Sequence, residues 1–197
     1  MGDNKIDKII LSCNEDPTYL SFWPEVATAY KKMFPECEIH LAFVTHRDKD
    51  DLFIQFLEKF GTVTLFKPFS RFPEFGQAKM ARFYLAAQMG EAVCYIDDID
   101  LFPLKKTFIT DKTDKRPKDH LLCVGGEVYD NNGCYPISQI TAEGYIFKKF
   151  INPKGLDWHN AIEFWWDNGD TMYEDKENIG LVYDFAKDVY FSDERLI

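Results

Sequence analysis

Seven segments between residues 8 and 96 alternate between two hydrophobic periods. KIILSC (8–13), EIHLAFVTH (38–46), TVTLFKPF (62–69) and AVCYI (92–96) are short apolar runs, rich in β-branched and aromatic residues, with the character of buried strands. TYLSFWPEVATAYKKMF (18–34), DDLFIQFLEKFG (50–61) and GQAKMARFYLAAQMG (76–90) place apolar residues at helical spacing instead. Pro24 is positioned to open the main part of the first helix and Gly61 to stop the second. The third lies between two glycines and is built of good helix formers. Strict strand–helix alternation implies parallel strands joined by right-handed crossovers. The expected fold class is α/β, a Rossmann-like, mostly parallel central sheet flanked by helices.

The rest of the chain is patterned less regularly. TDKTDKRPKDH (110–120) is charged and reads as a solvated loop. LLCVGGEVY (121–129) and ITAEGYIFKKFI (140–151) predict further strands, the second with the option of being part helix. DWHNAIEFWWDNG (157–169) predicts an amphipathic helix and ENIGLVYDFAKDV (177–189) another. A length of 197 residues fits a single domain with a full core, and 46% hydrophobic residues exclude a disordered chain. YFSDERLI, at the end, reads as the start of a helix, as if cut from a longer polypeptide.

Charge and cysteine usage narrow the partners. A formal charge of −10 repels a phosphate backbone and sets nucleic acid aside, although a small phosphate ligand responds to local charge. The five cysteines, at 13, 37, 94, 123 and 134, contain no CxxC pair; neither a zinc site nor a disulfide framework is expected. A reducing, cytoplasmic location fits this usage, and a monomer is expected. No run approaches the ~20 apolar residues of a membrane span, and the apolar run in MGDNKIDKIILSC is too short for a secretory signal. The same start lacks the Ser or Thr of a myristoylation signal.

CYIDDIDLFPL (94–104) then crowds three aspartates onto the end of the fourth strand, the edge where parallel α/β sheets bind ligands. Side chains alternate along a strand, so Asp98 and Asp100 are expected on one side and Asp97 on the other. Two carboxylates together suit a hard divalent ion, Mn²⁺ or Mg²⁺, whose shell substrate phosphates and waters complete. The plainer alternative is a polar turn in which Asp100 caps the next segment. Lys79 and Arg82 lie three apart on the preceding helix, hence on one face. Arg offers a fork and Lys a point charge for phosphate or sugar oxygens, and both would balance Asp97 to Asp100; a merely solvated face is the alternative.

The order strand, SCNEDPTYL, strand, helix, GQAKMARFYLAAQMG, then YIDDIDLF resembles glycosyltransferases of the GT-A fold, over most of the chain and most strongly from 8 to 104. The compact size and the NEDPTYLSFW opening further resemble small glycosyltransferase domains of large algal viruses, which would place the protein in a host cytoplasm. The resemblance implies a single catalytic domain, residues 1–104 forming its nucleotide-binding half and 105–197 its acceptor side. It also implies a DxD motif whose Mn²⁺ or Mg²⁺ bridges the diphosphate of a nucleotide sugar, with a UDP-sugar favoured. Asp98 and Asp100 match that motif, Asp98 also being placed to touch the ribose; a DDxD register beginning at Asp97 stays open. Ser12 and Asn14 match the loop that meets base and ribose, each reading equally well as a plain turn. Thr45, ending the second strand, would line the same pocket, and Lys79 and Arg82 would face the donor.

A glycan or glycoprotein acceptor is implied, with transfer by inversion in which a carboxylate takes the acceptor proton. Asp193 and Glu194, in SDERL, resemble the acidic pair that begins a late helix in several GT-A families. Glu143, Asp157 and Glu127 are further candidates. His159 is either a third metal ligand, an acceptor contact or structural, its surroundings departing from the family motif. Trp158, Trp165 and Trp166 form either a sugar platform or core, and 107–120, with Lys112, Lys115, Arg116 and Lys118, either a lid or a plain loop. Three rivals stand beside this reading. An aspartate-nucleophile phosphatase would carry its DxD on the first strand with Thr or Val following, not on the fourth with Leu101-Phe102-Pro103 after it. A calcium scaffold would need a spaced D-x-D-x-D-G loop. A non-catalytic sugar-nucleotide or glycan-binding module would share the same fold.

Overall fold

The structure, a computed structural model, describes residues 5–124, 138–169 and the strand at 189–191. β1 (Lys8–Cys13), α1 (Pro17–Leu20), α2 (Trp23–Met33), β2 (Glu38–Val44), α3 (Leu52–Leu57), β3 (Thr62–Phe66), α4 (Glu74–Ala86) and β4 (Val93–Ile96) follow the predicted alternation. Asp16 caps α1 by accepting from Thr18 N–H at 2.8 Å, with Pro17 as its first residue, and Asp51 caps α3 by accepting from Phe53 N–H at 2.7 Å. The single helix expected over 18–34 is thus two, α2 starting at Trp23 with Pro24 in its first turn. Gly61 does not end α3, which stops at Leu57. A Cβ at Gly61 would sit 2.6 Å from the Ile39 carbonyl oxygen and 2.9 Å from the Trp23 ring, so the glycine permits close approach.

β1 pairs in parallel with both β2 and β4, and β2 with β3. The full order is β3-β2-β1-β4-β6-β5-β7, where β5 is Leu121–Cys123, β6 is Ile140–Glu143 and β7 is Val189–Phe191. β6 runs antiparallel to β4, with Ile96 opposite Ile140 and Val93 opposite Glu143. Alternation along β1 sorts the core. Ile9 and Leu11 join Trp23, Tyr30, Leu41 and Phe43 on the α2 face, while Ile10 joins Ala42, Phe83, Ile96 and Phe147 on the α4 face.

Several expectations for the later residues change. The charged run does not form a plain loop: α5 (Lys106–Thr113) enters it, burying Ile109 and Thr113 four residues apart. ITAEGYIFKKFI divides into β6 and α6 (Gly144–Ile151). Trp158 and Trp165, on α7 (Trp158–Gly169), belong to an aromatic cluster with Phe66 and Tyr84, and Trp166 packs on Phe72; Trp165 is core, while Trp158 and Trp166 are half-buried and pack against it. Their indole donors are used, Trp158 Nε1 on Lys67 O at 3.0 Å and Trp165 Nε1 on Ile151 O at 2.8 Å. Cys13, Cys37 and Cys94 are buried free thiols and Cys123 is also buried. Of the helix expected over 177–189 only Val189 is described, and it, like Tyr190 and Phe191 where another helix was expected to start, lies in a strand; Cys134 lies outside the described residues, and no helix among those described is long and apolar enough to cross a membrane.

Candidate functional site

A cavity of about 440 Å³ opens at the carboxyl edge of β1 and β4. Ser12, Cys13, Asn14 and Asp16 approach it from the end of β1 and Tyr19 from α1. Phe75, Ala78, Lys79 and Arg82 approach from α4, and Asp98, Ile99 and Asp100 from the turn after β4. Its volume suits a small-molecule ligand. Sequence reasoning placed Ser12, Asn14, Lys79, Arg82, Asp98 and Asp100 here but overlooked Asp16, Tyr19 and Phe75. Asp16 caps α1 and Tyr19 lies in it, and the Asp-Pro-Thr start of that short helix was the signal for them.

β4 ends at Ile96, after which Asp97 N–H still reaches Ile10 O at 3.2 Å. Asp97 then turns inward to 3% exposure, accepting hydrogen bonds from the Tyr30 hydroxyl and from Asp98 N–H at 2.9 Å. Burial pushes its carboxyl up to about 7, with Tyr30, the Asp98 N–H and Arg82 acting in the other direction. Tyr30 is a residue the sequence did not single out, although its helical spacing from Trp23 and Ala27 marked it as inward-facing.

Arg82 is 2% exposed and donates through Nη1 to Asp97 O at 2.9 Å and to Asp98 Oδ1 at 2.5 Å. It is therefore no solvated cation: it lies beneath the acidic turn and neutralises it, while its Nε has no partner among the described residues. Lys79, one turn earlier, is exposed, its Nζ 5.7 Å over the Phe75 ring. Asp98 keeps its second oxygen clear of Arg82, and Asp100 is exposed at the rim of the cavity. No cluster of three or more His, Cys, Asp or Glu ligands occurs among the described residues. Two carboxylates facing a cavity nevertheless fit the usual Mg²⁺ arrangement, in which substrate phosphates and waters supply the other oxygens.

Other expected positions fall elsewhere. Thr45 is buried but does not line the cavity; its hydroxyl donates to Glu15 and accepts from Arg47 N–H at 3.0 Å, tying the loop after β2 to the loop after β1. Glu143 lies opposite Val93, at the other end of β4 from the aspartates. There Arg116 holds it through two hydrogen bonds of 2.8 Å, both residues buried, so the pair is structural. Asp157 accepts from Asn160 N–H and Nδ2 at the start of α7, at 3.0 and 2.8 Å. His159 stacks on Phe69 and meets Lys67 O at 3.2 Å, and is not among the cavity residues. Residues 107–120 are anchored by Arg116 and by Lys112 Nζ on Val124 O at 2.6 Å, which does not suit a lid. Asp193, Glu194 and Glu127 lie outside the described residues.

No family model matches the chain, and no curated protein matches its sequence. Among solved structures, the galactosyltransferase LgtC, in complex with donor and acceptor sugar analogues, is similar over 93% of this chain and 72% of its own. The TM-score is 0.53 and the identity 13%. Identity that low carries architecture alone, and the architecture it shows is the GT-A fold, a mostly parallel sheet flanked by helices.

Proposed function

We propose that the chain is a metal-dependent glycosyltransferase. It moves a hexose or deoxyhexose from a nucleotide diphosphate sugar, a UDP-sugar foremost, to a hydroxyl of a glycan or glycoprotein acceptor, with inversion. The observation that carries this reading is the cavity that gathers Asp98 and Asp100 with Lys79 and Arg82 at the carboxyl edge of the sheet. Likeness of fold to a galactosyltransferase supports it. Asp98 and Asp100 hold Mn²⁺ or Mg²⁺, which supplies charge against the diphosphate that departs. Arg82 keeps the Asp98 carboxylate in one orientation, Lys79 reaches a phosphate oxygen from the solvent side, and Ser12 and Asn14 meet the base and ribose. The acceptor proton goes to Asp193, with Glu194 beside it. The protein acts as a monomer in the cytoplasm.

A thermal-shift screen of UDP-, GDP- and dTDP-sugars with and without Mn²⁺ tests the donor. UDP-sugars are expected to raise the melting temperature only when metal is present, and Asp100→Ala to abolish that rise while leaving the unliganded melting temperature unchanged. Equal stabilisation without metal would remove Asp98 and Asp100 from the binding role. Release of UDP in the presence of glycan acceptors separates an enzyme from a module that only binds the sugar nucleotide.

A further inference from the structure

Eight large apolar side chains stand exposed among the described residues, and four of them follow the acidic turn directly: Leu101, Phe102, Leu104 and Phe108. Leu104 is 92% exposed. Phe102 sets its edge against Phe22, at 6.4 Å between ring centroids, and Asp100, directly before Leu101, lines the cavity, so the exposed apolar residues begin at its rim. Lysines accompany it. Lys105, Lys106, Lys112, Lys115 and Lys118 lie in the same stretch against Asp111, Asp114 and Asp119, in a chain whose formal charge is −10. Lys106 pairs with Glu36 at 3.2 Å and Lys112 donates to Val124 O; Lys105, Lys106, Lys115 and Lys118 are exposed.

Aliphatic and aromatic groups bordered by cations suit one kind of partner better than others. A sugar needs hydrogen-bonding partners, which Leu101, Phe102 and Leu104 do not offer. A second copy docked by two-fold symmetry would set the same lysines face to face. An anionic lipid bilayer satisfies both halves, taking the apolar side chains into its interface while its headgroups meet the lysines. We propose that the surface formed by residues 101–108 and the exposed face of α5 docks on an anionic membrane. The cavity mouth then sits close to the lipid surface. If the proposed transferase reading holds, the acceptor is a glycan carried on that membrane.

Cosedimentation with extruded vesicles tests this, using phosphatidylcholine alone and phosphatidylcholine with roughly one-third phosphatidylglycerol. The chain is expected to pellet with the anionic vesicles, weakly with the neutral ones, and less as salt rises. The double variant Leu104→Asp/Phe108→Ser and, separately, Lys105→Glu/Lys115→Glu should each weaken binding at least about tenfold. Melting temperatures of both variants should stay within a few degrees of the parent. Failure to pellet with anionic vesicles, or undiminished pelleting of both variants, overturns the proposal. So does a concentration-dependent dimer, seen by ultracentrifugation, that the Leu104→Asp/Phe108→Ser variant abolishes. Vesicle binding by a chain that no UDP-sugar stabilises would overturn the donor assignment and leave membrane docking standing.

Discussion

Among single residues, Asp97 is the most informative because it carries the charge of the acidic turn into the core. Its carboxyl titrates at about 7 in the folded chain, above the ordinary value of 3.8, since burial disfavours the ionised form. The folded state therefore binds a proton more readily than the unfolded state between those two values. That stabilisation is complete below about pH 4 and is lost as pH rises through 7, on the order of 1 kcal/mol per pH unit within the window. Asp97→Asn has no proton to lose, so urea midpoints across the window should fall for the parent and stay level for the variant. Parallel curves would mean that Asp97 ionises as it does in the unfolded chain. The sequence predicted that Asp97 and Asp98 face opposite ways, and they do, but not through strand alternation. β4 has already ended, and the inward turn is held by Tyr30 and Arg82, partners from distant segments that no local period announces.

Between elements, a second close approach, besides that at Gly61, is at Gly144, where α6 begins against the turn that follows α4. A Cβ there would lie 2.7 Å from Ala86 O and 2.8 Å from Gly90 N, both backbone atoms unable to move aside cheaply. Gly144 N–H also bonds to Ala92 O at 3.0 Å. Gly144→Ala should cost ~1–3 kcal/mol, seen as a lower urea midpoint at unchanged slope. Elements of the first half were legible in the sequence because each carries a clear period and both faces of the sheet are covered. α4 shows where that legibility stops. From Gly76 to Ala86 all of its residues except Lys79 are buried, so the pattern marks a helix without revealing that Arg82 lies inside the molecule. α5 was missed for the opposite reason, since two buried anchors, Ile109 and Thr113, are too few to stand out among charged neighbours.

For the molecule as a whole, sheet direction decides which carboxylates can share one site. Glu143 stood among the further candidates for the base from sequence, because the reversal at β6 cannot be read from composition or period. Antiparallel pairing puts it beside Val93, at the far edge from Asp98, where Arg116 neutralises it. Glu143→Gln should therefore destabilise the fold by about 3 kcal/mol, leaving the Arg116 charge buried without its partner, while transfer per folded molecule is unchanged. Denaturation and turnover measured on the same preparation separate the two, and a loss of turnover at full stability would make Glu143 the base. The same reversal has a consequence for how such a protein diversifies. Because Ile140 enters β6 beside Ile96, the chain arriving there comes in at the edge where the aspartates leave β4. Substitutions at Ser138 and Gln139 can change the chemistry of that edge without touching the parallel ladder of β1 to β4. Under the proposed transferase reading, that edge can change its preference for one partner while Ser12, Asn14 and Lys79, at the end of β1 and on α4, stay as they are.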